Sequence, residues 1–170
     1  MMLKDQQVRF FIGLVLLLIL GTSYWLVAFK DFTPLDAFRG ASFNTVSILT
    51  GTGYASTNYS AWGAFSTTLF FVVMFIGGCA GSTSCGIKIF RFQVLFSTLS
   101  QVFRQILRPH GVFLASYNGK PIPENVISSV LSFFALFILV FILLAVALAA
   151  TGLDAETALS GAGTALANVG

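Results

Sequence analysis

The chain is poor in charge. Of its 170 residues only 9% are Asp, Glu, Lys or Arg, against roughly 25% in soluble domains. With 56% hydrophobic residues and a mean hydropathy of +0.90, this excludes an ordinary soluble globule and points to an integral membrane protein. Cysteine is scarce: Cys79 and Cys85 sit inside an apolar stretch and do not suggest a secreted disulfide framework. Neither has a His or carboxylate nearby in sequence, which argues against a metal pair. The single histidine, His110, lies beside Pro109 in a basic stretch with no acid within thirteen residues, so the sequence offers no acid–base pair for covalent chemistry and is read as a non-enzyme. Tandem charge blocks and low-complexity tails are absent, and no nucleic-acid partner is expected. Acid is missing altogether between Lys88 and Lys120, where five Lys/Arg occur. By the positive-inside rule this segment is cytoplasmic, together with the basic N-terminus carrying Lys4 and Arg9.

Apolar runs and small residues fill the space that charge leaves. Residues 10–29 are almost continuously apolar, and about 20 residues at about 1.5 Å each cross a bilayer core. A signal peptide would have an apolar core of only ~7–15 residues; this run is longer and ends in Tyr24 and Trp25, which suit an interface, so an uncleaved helix is expected. Residues 36–49 form a helix too short and too polar to span, a re-entrant segment. A second apolar run starts at Trp62 and continues as a helix to Leu107, interrupted by the ten small residues Gly77, Gly78, Cys79, Ala80, Gly81, Ser82, Thr83, Ser84, Cys85 and Gly86. This run weakens any helix and marks either a break at membrane depth or a close-packing face of small residues; its length favours the break. The stretch 108–125 is a polar loop, with Tyr117-Asn118-Gly119-Lys120 as a hairpin signal. Residues 126–150 span again, and 155–167 form another short helix before the chain reaches Asn168-Val169-Gly170.

The stretch around which these elements are arranged is Thr50-Gly51-Thr52-Gly53-Tyr54-Ala55. Bare backbone is tolerated at membrane depth only where protein buries it or it lines a watery cavity. One reason for such a turn is a set of backbone carbonyls replacing the hydration shell of a cation; Thr52-Gly53-Tyr54 stands where Val-Gly-Tyr stands in the TVGYG filter of potassium channels. A plain extracellular turn is the competing reading of the local string. The topology puts this turn near the outer face.

A weak internal repeat supports the first reading. Leu35-Asp36-Ala37 recurs as Leu153-Asp154-Ala155, and Ser42 as Ser160, at an offset of 118 residues; Gly53 and Gly170 match within one residue of that offset. Each tripeptide follows a spanning helix and opens a short one, which Asp36 and Asp154 are expected to cap. The fold class is therefore all-α integral membrane, built of units made of a spanning helix, pore helix, filter loop and spanning helix. The expected division is a complete unit at 1–107 (helix 10–29, pore helix 36–49, filter 50–55, broken helix 62–107), a cytoplasmic loop at 108–125 and a truncated second unit at 126–170.

The strings Phe43-Asn44-Thr45-Val46-Ser47-Ile48, Thr50–Ala55, Gly77-Gly78-Cys79-Ala80-Gly81-Ser82-Thr83-Ser84 and Leu166-Ala167-Asn168-Val169-Gly170 resemble those of the Trk-type potassium-uptake proteins, the TrkH branch of the superfamily that includes the Ktr and HKT transporters. The resemblance covers essentially the whole chain. It implies four such units around one pore in the bacterial inner membrane, with Thr50, Gly51, Thr52, Gly53, Tyr54, Asn168, Val169 and Gly170 contributing to a potassium filter through backbone carbonyls. It implies that residues 77–86 are an intramembrane gate beneath that filter. It also implies a homodimer in lipid, regulated by a cytoplasmic nucleotide-binding ring. Two departures stand out: Cys85 replaces a glycine common in the family, and two units and a last helix are missing, so the chain is expected to be a fragment. A freestanding small cation-channel subunit acting as an oligomer, and a structural membrane protein, are the alternatives.

Overall fold

The computed structural model describes residues 5–169; Gly170, expected in the filter, lies outside them. Helix α1 (Gln6–Lys30) is followed by α2 (Pro34–Thr50), a 3₁₀ turn (Tyr59–Trp62), α3 (Ala64–Val73), α4 (Ile89–Leu107), a hairpin of β1 (Ser116–Tyr117) and β2 (Lys120–Pro121), α5 (Glu124–Ala150) and α6 (Ala155–Ala167). Among the described residues, only α1 and α5, of 25 and 27 residues, are long and apolar enough on their own to cross a membrane.

Helix α1 starts where Asp5 accepts from the Gln7 amide and stops at Asp31, whose left-handed backbone (φ 55°) closes the last turn. Helix α2 begins two residues before the expected Leu-Asp-Ala boundary would allow. Thr33 is its N-cap, accepting from the Asp36 amide, and Pro34 supplies a preset φ at the first helical position. Asp36 is thus not the cap. It sits in the first turn, where its carboxylate accepts from the Thr33 hydroxyl at 2.7 Å. Asp154 does cap α6, accepting from the Thr157 amide at 3.1 Å and the Thr157 hydroxyl at 2.8 Å.

The second apolar run is broken more widely than expected. Helix α3 ends at Val73 and α4 starts at Ile89, so the interruption covers 74–88 rather than 77–86. Its two ends are clasped. Gly77 donates to Ile87 O (2.9 Å), Ile87 to Phe75 O (2.8 Å) and Ile89 to Gly78 O (3.2 Å), the first two forming a parallel bridge between Ile76 and Ile87. Both strands of that clasp consume residues that a helix would otherwise have used. The start differs too, because a 3₁₀ turn and Gly63 (φ 115°) stand where the helix was expected at Trp62.

A core of Leu18, Leu26, Ala37, Ile48, Leu49, Trp62, Phe70, Val73, Met74, Ala167 and Val169 joins α1, α2, α3 and the end of α6. Within a membrane, association of helices rests on close packing, and small residues let it happen. On α2, Gly40 takes the Trp62 ring: a Cβ there would stand 3.1 Å from a ring carbon. On α6, Gly163 takes the methyl of Met74, which would have to shift for any side chain there. Phe75, next to Met74, is edge-on to Phe71, Phe137 and Phe141 at 5.4–5.9 Å, which fastens the break to α5. The Arg91 guanidinium lies 3.8 Å over the Phe133 ring and ties α4 to α5. The hairpin turns at Asn118 (φ 49°) and Gly119 (φ 75°), the left-handed pair that a two-residue hairpin turn requires. It lies at the α1 N-terminal end of the molecule, where Asn118 N donates to Gln6 Oε1 at 3.2 Å.

Candidate functional site

Helix α2 terminates because Gly51 adopts φ 72°, and the amides of Gly51 and Thr52 both turn back to the Ser47 carbonyl. Gly53 follows at φ 78°, a second position where a Cβ would be strained. The hydroxyls of Thr50 and Thr52 meet at 2.7 Å, and Thr50 also donates to Val46 O at 2.8 Å. The turn begins opposite the first half of α1. Leu49 and Thr50 face Phe11, Ile12, Val15 and Leu16, in the N-terminal half of α1, across a cavity of 210 Å³. The reason is length: 17 residues of α2 carry the chain about 25 Å back along α1. From Gly53 the chain returns beside α2. Buried Asn44 holds it there, donating to Ser56 Oγ (3.2 Å) and accepting from the Ser56 amide (3.2 Å).

Helix α6 ends in the same way. Asn168 adopts φ 51°, and the amides of Asn168 and Val169 turn back to the Thr164 carbonyl. Ser47 and Thr164, Gly51 and Asn168, and Thr52 and Val169 are each 117 residues apart, so the hydrogen-bond pattern repeats as well as the sequence. The two turns meet. A Cβ on Gly51 would stand 3.6 Å from the Asn168 carbonyl oxygen and 3.9 Å from the Cys85 amide nitrogen. Cys85 belongs to the Gly-rich loop, and its Sγ accepts from Asn168 Nδ2 at 3.3 Å. The helix dipoles of α2 and α6 therefore both end, with their partial negative charge, at one place against the loop.

The loop has its own frame. Gly78 N donates to Ser84 Oγ at 2.7 Å, and Ser82 Oγ to Cys79 O at 2.7 Å. The Lys88 ammonium reaches back into it, donating to Ser82 O at 2.8 Å and to Ser84 O. Gly77 packs so closely on the Cys85 carbonyl that no side chain fits, and Gly86 needs φ 78°. These are steric reasons for the run of small residues.

Of the residues singled out by sequence, Gly51, Asn168 and Cys85 come together, with Thr50, Thr52 and Val169 beside them. Tyr54 does not join them and is 74% exposed. Thr50 and Thr52 also line an open cavity of about 1170 Å³ with Lys30, Asp31, Asp36 and Arg39. Sequence reasoning missed the roles of Asn44, Lys88 and Gln7, whose carboxamide contacts the loop at Ala80. Asn44 is an amide inside a short helix and Lys88 a cation two residues past Gly86; those were the signals the sequence offered.

The family model described as "TrkH: Cation transport protein" matches residues 3–170. The chain is 46% identical over 169 residues to the Trk system potassium uptake protein TrkI of Halomonas elongata, covering 99% of this chain and 34% of that protein. It is 36% identical over 168 residues to the Trk system potassium uptake protein TrkH of Vibrio parahaemolyticus, covering 98% and 35%. The crystal structure of the potassium transporter TrkH from Vibrio parahaemolyticus superposes with a TM-score of 0.93 at 35% identity, over 98% of this chain and 36% of that one. This chain thus spans about a third of the length of these relatives. With a repeated helix-ending turn, a Gly-rich loop against it and a family match along nearly its whole length, the chain belongs to the TrkH family of cation transport proteins.

Proposed function

We propose that this chain forms part of a pore for potassium uptake across the bacterial inner membrane. The observation that carries the reading is the meeting of Gly51, the Asn168 carbonyl and Cys85 at the ends of two short helices. The relatives named as potassium uptake proteins supply the ion. Carbonyls of residues 50–54 and 168–170 replace part of the ion's hydration shell, and the C-terminal ends of α2 and α6 lower the cost of bringing positive charge to mid-membrane. No bond is made or broken. Residues 77–86, lying against the meeting point, obstruct the path until they move. Residues 1–107, 108–125 and 126–170 act as a first pore unit, a cytoplasmic loop and part of a second unit. The N-terminus and residues 88–125 face the cytoplasm, in keeping with their excess of Lys and Arg and with the hairpin's place beside the α1 N-terminus. Two units provide part of a cage, so further pore units complete it, and the assembled protein works as a homodimer on a cytoplasmic nucleotide-binding ring.

The test is cation selectivity in the assembled transporter. A side chain at Gly53, held at φ 78°, pushes successive carbonyls out of register. Gly53→Ser is expected to lower potassium-over-sodium selectivity by about tenfold, the factor for about 1.4 kcal/mol. Paired potassium and sodium flux in vesicles reads it out, and unchanged selectivity removes this turn from the filter.

A further inference from the structure

Residues 79–84 form the tip of the Gly-rich loop. Lys88, at the start of α4, holds its Ser82 and Ser84 carbonyls, and on the side of α1 Ala80 N donates to Gln7 Oε1 at 2.9 Å. The same carboxamide turns its Nε2 to the hydroxyl of Tyr117 in the hairpin, 2.8 Å away. The amide orientation is forced, because a backbone N–H can only donate and so must meet the oxygen. The other end is anchored. Tyr117 packs edge-on against Phe90 at 5.2 Å and its hydroxyl reaches Asp5 Oδ1 at 3.4 Å. The hairpin is held to α4 where Ser116 N donates to Ser97 Oγ at 3.0 Å. On its other side the tip has room: Ala80 and Gly81 border a cavity of 530 Å³ shared with the start of α5, and no atom lies within 4 Å of where a Gly81 Cβ would be.

We propose that Gln7 is a positioning residue that clamps the tip of the Gly-rich loop to the hairpin, so that displacing the hairpin releases the loop into the adjacent cavity. Gln suits the task because one end carries both an acceptor for Ala80 and a donor for Tyr117; Lys or Arg could only donate. The clamp makes the polar hairpin, more than 35 residues along the chain from Ala80, a handle on the pore. Its importance for transport rests on the reading of residues 77–86 as an obstruction; the clamp itself does not.

Cys79, adjacent to Ala80, is a built-in reporter. The assembled transporter carrying Cys85→Ser is treated from the hairpin side with a charged thiol reagent, and the Cys79 modification rate is followed. Gln7→Leu is expected to raise the rate about three- to tenfold, the factor for one net hydrogen bond. Tyr117→Phe, which touches no loop atom and preserves the ring contact with Phe90, is expected to raise it by a smaller factor. The double variant should be no faster than Gln7→Leu alone, since both act through one carboxamide. Gln7→Glu, which still accepts from Ala80 but has no N–H for Tyr117, should fall between the parent and Gln7→Leu. A Tyr117→Phe rate equal to the parent's overturns the clamp, as does an effect of Tyr117→Phe that is undiminished in the Gln7→Leu background. If Gln7→Leu fails to assemble, Tyr117→Phe decides alone. Flux is read separately: deletion of Ala80–Ser84 with no rise in flux defeats the obstruction reading, while the Cys79 rates still judge the clamp.

Discussion

The turn after α2 and the turn after α6 reach the same backbone solution from different residues. Both helices end with a left-handed residue whose amide, and the next, return to a carbonyl one turn earlier. In the first the left-handed residue is Gly51, in the second Asn168, and these are the two non-β-branched choices that tolerate that conformation best. The starts of the helices differ more. Helix α2 begins at a neutral hydroxyl, Thr33, and α6 at a carboxylate, Asp154, although both belong to the same Leu-Asp-Ala repeat. The supports differ as well: Gly40 of α2 receives Trp62, while Gly163 of α6 receives Met74 from the broken segment. A repeat can therefore preserve the backbone geometry of one helix end while the caps and packing of the other drift, because a start need only be satisfied.

The largest expected effect breaks the support of one turn and leaves the other alone. Gly163→Leu meets the Met74 methyl directly and is expected to cost about 1–3 kcal/mol as overpacking, read by thermal unfolding in detergent. Met74→Ala in the same chain should restore part of the loss, and no recovery would show that the contact is not the cause. Next comes an exchange of the two left-handed residues. Gly51→Ala is expected to cost about 1–2 kcal/mol of strain, since a Cβ there meets only ordinary contacts, whereas Gly51→Asn should cost clearly less. Equal losses in the two variants would mean that space, not φ, dictates Gly51.

Acid separates the two starts. The Thr157 hydroxyl and amide hold the Asp154 carboxyl below its usual range. A lowered value means that the folded form favours the carboxylate, so this contribution is complete above the unfolded carboxylate pKa and is lost as pH falls through the lowered one. The Thr157 amide should lose protection from hydrogen exchange in that acid window, after correction for intrinsic rates. The Asp36 amide of α2, capped by the non-titrating Thr33 hydroxyl, should lose less. Thr33→Ala is expected to cost about 1 kcal/mol at neutral pH, measured by the same unfolding assay. The smallest effect belongs to Cys85→Gly. It removes a weak thiol acceptor from Asn168 at an exposed position, and stability should change by no more than about 0.5 kcal/mol. A larger loss would make Cys85 a structural link between the loop and the second turn.

The sequence by itself determined the elements whose causes are local. Length and apolarity of 10–29 and 126–150 set two spanning helices, because a bilayer leaves a long apolar run no cheaper state. Asn118-Gly119 set the hairpin, Asp154 the start of α6, and the glycines of 77–86 the break, since each acts through its own backbone or its nearest neighbours. Gly51 and Gly53 were legible for the same reason. Only the tertiary structure decided what lies beyond a few residues of separation. It widened the break to 74–88 through the Ile76–Ile87 clasp, and brought Asn168 to Gly51 and Gln7 to Ala80. Those contacts join residues as far as 117 positions apart, and no periodicity or propensity encodes such a meeting. It arises because short helices packed through bare glycines against Trp62 and Met74 come to rest with their ends in one place.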